Sequence, residues 1–172
     1  MSEMRFKFSY VYAVENDNTI HCLGTRQWMW YDKNPSEFVY YIEVHNRNLE
    51  SPVVIAGGEA KRAHVDFPED SVWGKMLRGS LRKREERLLK MCEVNPETIT
   101  GIVIVSFTPR RHHKRTYSVK FIRRNRVDTI DGDVAPMIAG KKPDMEDKSL
   151  WIANEIAKSV VHDRKLMNIK GK

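Results

Sequence analysis

At 172 residues, with 41% apolar and 31% charged side chains, the chain is long enough to bury one core and too apolar to stay unfolded. No apolar run approaches the roughly 20 residues that cross a bilayer as a helix, so no membrane partner is expected. The 30 Lys/Arg against 23 Asp/Glu leave a net charge of +7, which points to an anionic partner.

The chain opens on a strand. In RFKFSYVYAV (5–14), Phe6, Phe8, Tyr10, Tyr12 and Val14 alternate with Arg5, Lys7 and Ser9, the period of two that puts apolar side chains on one face. ENDN (15–18) supplies turn residues, and TIHCLG (19–24) returns as the second arm of a hairpin. QWMWYDKNP (27–35) follows, an aromatic cluster in which Trp28 and Trp30 share a side if the segment is extended. A core corner is the plainer reading of Trp28, Trp30 and Tyr31. The functional one is a stacking platform for bases or a contact for a protein partner. EFVYYIEVH (37–45) alternates again, and PVVIA (52–56) is a short strand stopped by Gly57-Gly58.

A helix is expected near 67–93. Asp66 and Glu69 have capping-box spacing, and Trp73, Leu77, Leu81, Leu88 and Cys92 lie along one helical face. Gly74 and Gly79 each cost about 1 kcal/mol there relative to Ala, which weakens the first half. NPET (95–98) ends it. ITGIVIVSF (99–107) is apolar and β-branched throughout, the pattern of a strand buried on both faces. TPRRHHK makes a loop, and RTYSVKFIR (115–123) returns with Tyr117, Val119 and Phe121 on one side. Residues 125–148 read as a polar connecting loop. A last helix near 147–165 carries Ile152, Ile156 and Val160, and 166–172 is a frayed tail. The order implies a single α+β domain over 1–165, with a largely antiparallel sheet of about six strands and two main helices.

The positive charge is concentrated. RRHHKRTYSVKFIRRNR (110–126) holds eight Lys/Arg and no carboxylate; without those eight, 22 basic residues face 23 acidic ones. Arg, with its planar fork of donors, outnumbers Lys six to two in this stretch, and that fork fits phosphates and guanine edges. Charge that only protects an edge strand needs one or two residues, not eight. Arg110, Arg111, His112, His113, Lys114, Arg115, Lys120, Arg123, Arg124 and Arg126 are therefore the expected nucleic-acid contacts on a basic hairpin. Arg78 and Arg82 extend them from the helix, where Lys75, Arg78 and Arg82 fall on one face at 100° per residue.

Catalytic and metal signals are weaker. No HxxxH, HExxH, GxGxxG or Walker pattern occurs among the residues. His112 and His113, flanked by arginines, are candidates for a neutral general base. Asp128, Asp131 and Asp133 in DTIDGD could hold a cation, although Asp-Gly is ordinary turn chemistry. GGEAK (57–61) offers Glu59 and Lys61 after a strand, with no clear upstream acid to complete a metal site beyond Glu50. No metal or cofactor is called for.

Cys22 and Cys92 match no metal or redox spacing, and MSEMRFKFSY lacks the apolar core of a signal peptide. Reduced thiols and a cytoplasmic, nucleoid or nuclear location are the expectation. The leading functional expectation is a nucleic-acid-binding protein, DNA ahead of RNA, acting without catalysis in transcription regulation or DNA organisation. The alternative is a protein-binding regulator or inhibitor that meets an acidic surface, including a viral protein acting on a host polymerase. A small nuclease is the third.

Overall fold

In a computed structural model, which describes residues 4–31, 39–45, 53–60, 71–107, 116–133 and 148–162, the opening alternation forms a long strand, β1 (Met4–Glu15). Its turn closes with Asn18 at φ 65°, in the left-handed region that Asn tolerates. Asp17 Oδ1 accepts the Thr19 amide at 3.0 Å, and this hydrogen bonding from Thr19 holds the Asp17 carboxyl below its ordinary value. β2 (Ile20–Tyr31) returns antiparallel, followed by β3 (Val39–His45) and β4 (Val53–Ala60).

The single helix expected near 67–93 is two helices, α1 (Val72–Arg78) and α2 (Lys83–Met91). Gly79 causes the break. It adopts φ 68°, ψ 25° as the cap of α1, with Gly79 N–H donating to Met76 O at 3.3 Å and Ser80 N–H to Lys75 O at 3.0 Å. That pair is a Schellman ending, which only glycine enters without a Cβ penalty. The N-cap of α1 is Ser71, whose Oγ accepts from Gly74 N at 3.3 Å; Asp66 and Glu69 lie outside the described residues.

A 3-10 turn at Pro96–Thr98 leads into β5 (Ile99–Phe107). β6 (Thr116–Arg123) and β7 (Arg126–Asp133) follow, and α3 (Lys148–His162) ends the described chain. β7 corrects the expectation of a polar loop across 125–148 and raises the strand count among the described residues to seven; residues 134–147 lie outside the described residues, as does the tail 166–172. The strand was hidden because its inward positions are Asp128, Ile130 and Gly132, of which only one is apolar.

The sheet order is β4-β3-β2-β1-β5-β6-β7, antiparallel throughout. The fold is thus α+β: two meanders share the β1–β5 pairing, and helices cover both faces. On one face Tyr10, Tyr12, Val103, Val105, Val119, Phe121 and Ile130 pack against Ile152, Ile156 and Val160 of α3. Tyr12 OH also donates to Asn154 Oδ1 of that helix at 2.5 Å. On the other face Val11, Ala13, Leu23, Ile102, Ile104 and Ile122 meet Trp73, Met76 and Leu77 of α1 and Leu89 of α2. β5 is buried at every position but Thr100, as its unbroken apolar run implies. At Gly101 a Cβ would stand 2.7 Å from Phe121 Cε1, so the ring occupies the space a side chain would need.

Candidate functional site

β6 and β7 are joined by only two residues, Arg124 and Asn125. Arg123 and Arg126 are consequently direct cross-strand partners, an arrangement of like charges that is destabilising unless compensated. Compensation comes from Asp128, which is 6% exposed. It accepts hydrogen bonds from Arg123 Nη2 and, at 2.9 Å, from Arg126 Nε. The Arg123 guanidinium also lies 4.6 Å from the centroid of the Phe121 ring, a cation–π contact. One carboxylate thus bonds two guanidiniums across the β6–β7 pair. Arg124, exposed at the corner, makes no ion pair among the described residues.

α1 brings a fourth arginine to the same end of the sheet. Arg78, in its last turn, lines a cavity of about 480 Å³ together with Met76, Leu77, Gly79, Pro96, Glu97, Arg124 and Asn125. It also lines an adjoining one of about 280 Å³ with Arg123, Arg124 and Arg126. The other side of the turn borders a cavity of about 790 Å³ that includes Asn16, Asn18, Thr100 and Phe121. Arg78, Arg123, Arg124 and Arg126 thus converge at one end of the sheet.

Of the other expected contacts, the described ones, Lys120 and Arg82, do not join them. Thr116 and Arg123 stand at opposite ends of β6, roughly 23 Å apart at the usual rise per residue. β6 therefore carries the chain across the sheet between the two. Arg110, Arg111, His112, His113, Lys114 and Arg115 lie outside the described residues. Lys120 sits mid-strand, half-buried, opposite Ile104 and Thr129. Arg82 is the exposed N-cap of α2, its amide donating to Glu85 Oε1 at 3.1 Å, and it lines neither cavity beside Arg78. The single basic helix face expected for Lys75, Arg78 and Arg82 is lost at the Gly79 break, and Lys75 pairs with Glu85 at 3.5 Å.

β2 is extended to Tyr31, so the backbone places Trp28 and Trp30 on one face and Tyr31 on the other. They pair with the Met4–Lys7 end of β1, away from the Arg124 turn. Asp128 is committed to arginines on the α3 face, while Asp131 and Asp133 fall on the opposite face of β7 by strand parity. The three do not converge, and no cluster of three His, Cys, Asp or Glu exists among the described residues. Glu59 lies in β4; Glu50 and Lys61 are outside the described residues. Cys22 and Cys92 are free thiols, and burial pushes both up from the ordinary cysteine value.

Two features were missed from sequence. Arg26 is 1% exposed, in register with Ser9 and with Glu43; Ser9 Oγ lies 2.6 Å from Ser106 Oγ. This buried polar row looks like outward-facing strand polarity in sequence, and only the sheet order reveals it as central. The second feature is a cavity of about 640 Å³ walled by Met76, Leu81, Val94 and Pro96 and rimmed by Glu86, Lys90, Glu93 and Glu97. Its residues come from α1, α2, the 3-10 turn and the loops between them, so no local motif announces it.

No protein-family model matches the sequence, and no curated protein or solved structure is significantly similar to it. No helix among the described residues is long and apolar enough to cross a membrane.

Proposed function

We propose that the protein binds nucleic acid, DNA ahead of RNA, and that Arg78, Arg123, Arg124 and Arg126 grip the phosphate backbone at the β6–β7 end of the sheet. The observation that carries this reading is that Arg78, Arg123, Arg124 and Arg126 line one small cavity at the β6–β7 turn. Such a cluster raises the local potential and favours a polyanion. A structural role accounts for Arg123 and Arg126, which Asp128 ties together, but leaves Arg124 unexplained. Transcription regulation or DNA organisation is the role this binding would serve.

Fluorescence anisotropy of labelled duplex DNA, single-stranded DNA and RNA at two salt concentrations tests the reading. Four phosphate contacts give a log–log slope of about −3.6 on duplex, so affinity should fall by about two decades between 50 and 200 mM salt. Contacts from elsewhere on the chain would steepen it further. An affinity flat across that range rules the proposal out. Capture of a partner that survives nuclease treatment would instead favour the protein-binding regulator.

A further inference from the structure

The acidic-rimmed cavity shares a wall with the arginine cavity: Met76, Gly79, Pro96 and Glu97 line both. One compartment is therefore lined by Arg78 and Arg124, and the next offers an apolar floor with three carboxylates and Lys90 at its edge. Met76 and Val94 of that floor are buried, whereas Glu86, Glu93 and Glu97 are exposed. None of these three carboxylates has an ion-pair partner among the described residues. At about 640 Å³ the compartment falls within the usual range for small-molecule pockets.

This sequence of surfaces matches one chemical object, a nucleotide unit with its base turned out of any stack. A phosphodiester is anionic and belongs beside Arg78 and Arg124. A base has an apolar face for Met76, Leu81, Val94 and Pro96, and an edge that reaches the rim. Carboxylates accept hydrogen bonds and donate none, and with three of them against the single donor Lys90 the rim favours an edge bearing an exocyclic amine, as cytosine N4 does. Thymine and uracil present O4 at that place, acceptor against acceptor. Inside a duplex that edge is paired, and a concave site cannot reach it without extruding the base.

We infer that the Met76–Val94 cavity is a base subsite, which takes an unpaired, amino-bearing base of a single strand whose phosphate lies against Arg78 and Arg124. This rests on the nucleic-acid reading above and deepens it from backbone gripping to base discrimination.

The two pyrimidines make the cleanest test, because cytosine and thymine are close in size and differ at position 4. Anisotropy titrations of the full chain with labelled oligo(dC) and oligo(dT) of equal length, at 100 mM salt, should show oligo(dC) binding roughly tenfold more tightly, the discrimination of one good base-edge contact. In the double variant Glu93→Gln/Glu97→Gln, whose amides can turn to donate to O4, the two affinities should come within about twofold. Both positions are exposed, and an unchanged thermal midpoint confirms that the variant is folded. Equal affinity of the native chain for the two oligomers, with a steep salt slope, overturns the base subsite and leaves the backbone reading standing. A preference that persists undiminished in the double variant also overturns it. Failure to bind either oligomer or duplex at 50 mM salt removes the nucleic-acid reading itself.

Discussion

Asp128 holds two arginines that would otherwise repel each other, and its removal separates a structural effect from a binding effect. The carboxylate is buried, while the Arg123 and Arg126 side chains are 37% and 48% exposed. Solvent screening of the half-exposed partners reduces the 3–5 kcal/mol expected for breaking a fully buried pair. Asp128→Asn should therefore destabilise by about 1–2 kcal/mol in urea unfolding. The same change adds one uncompensated positive charge, so the salt slope for duplex DNA should steepen by about 0.9. A variant that is less stable yet binds more tightly at low salt has no explanation in a purely structural role for these arginines. Cys22 and Tyr117 bear on stability through pH. Burial raises both, and the nearby Asp133 adds to the shift at Tyr117. A folded-state pKa raised above the unfolded value contributes stability that is complete below the unfolded pKa, 9.0 for the thiol and 10.0 for the phenol, and is lost as pH climbs through the folded one. The thermal midpoint under reducing conditions should thus fall as pH rises past about 9, and Cys22→Ser should lessen that fall.

Among the elements, the broken helix has the clearest single-residue origin. Gly79→Ala places a Cβ in the left-handed region and should cost about 1 kcal/mol, read as a lower urea midpoint at unchanged m-value. No heavy atom lies within 4 Å of the added Cβ, so any cost comes from the backbone and not from a clash. A loss well beyond this would mean that the α1–α2 corner carries more than a cap. Gly79 was visible in sequence as a weak point, but glycine composition does not distinguish a tolerated interior residue from a cap. That needs the Ser80-to-Lys75 hydrogen bond. β1, β5 and α3 were legible because their periodicity survives burial: alternation at Tyr10, Tyr12 and Val14, continuous branching from Ile102 to Val105, four-residue spacing at Ile152, Ile156 and Val160. β7 was not, since Asp128 points inward to its arginines and Gly132 lies beneath Tyr117. An inward Asp and an inward Gly both imitate a loop. Arg123, Arg124 and Arg126 stood out by charge alone, yet their place at the far end of β6 from Thr116 depends on strand length and could not be read from density of charge.

At the scale of the whole molecule, the sheet decides how the +7 charge is presented. A strand spans roughly 3.3 Å per residue, so any basic segment that traverses a sheet delivers its two halves to opposite ends. Convergence then depends on other elements reaching the same end, and α1 does so with Arg78. This makes a prediction about which positive charges count. Replacing Arg78 and Arg124 with Ala should lower the magnitude of the duplex salt slope by about 1.8, one phosphate contact each, with little change in stability because Arg124 is exposed at a turn and Arg78 is exposed at a helix end. Replacing Lys83 and Arg87 with Ala removes the same formal charge from α2, where both side chains are exposed. If net charge alone drove binding, the two pairs would act equally. If the convergent site does, the Lys83/Arg87 variant keeps a slope within about 0.5 of the native chain, less than one phosphate contact. Slopes measured from at least four salt concentrations distinguish the two outcomes, and equal losses would return the basicity of this protein to a diffuse surface property.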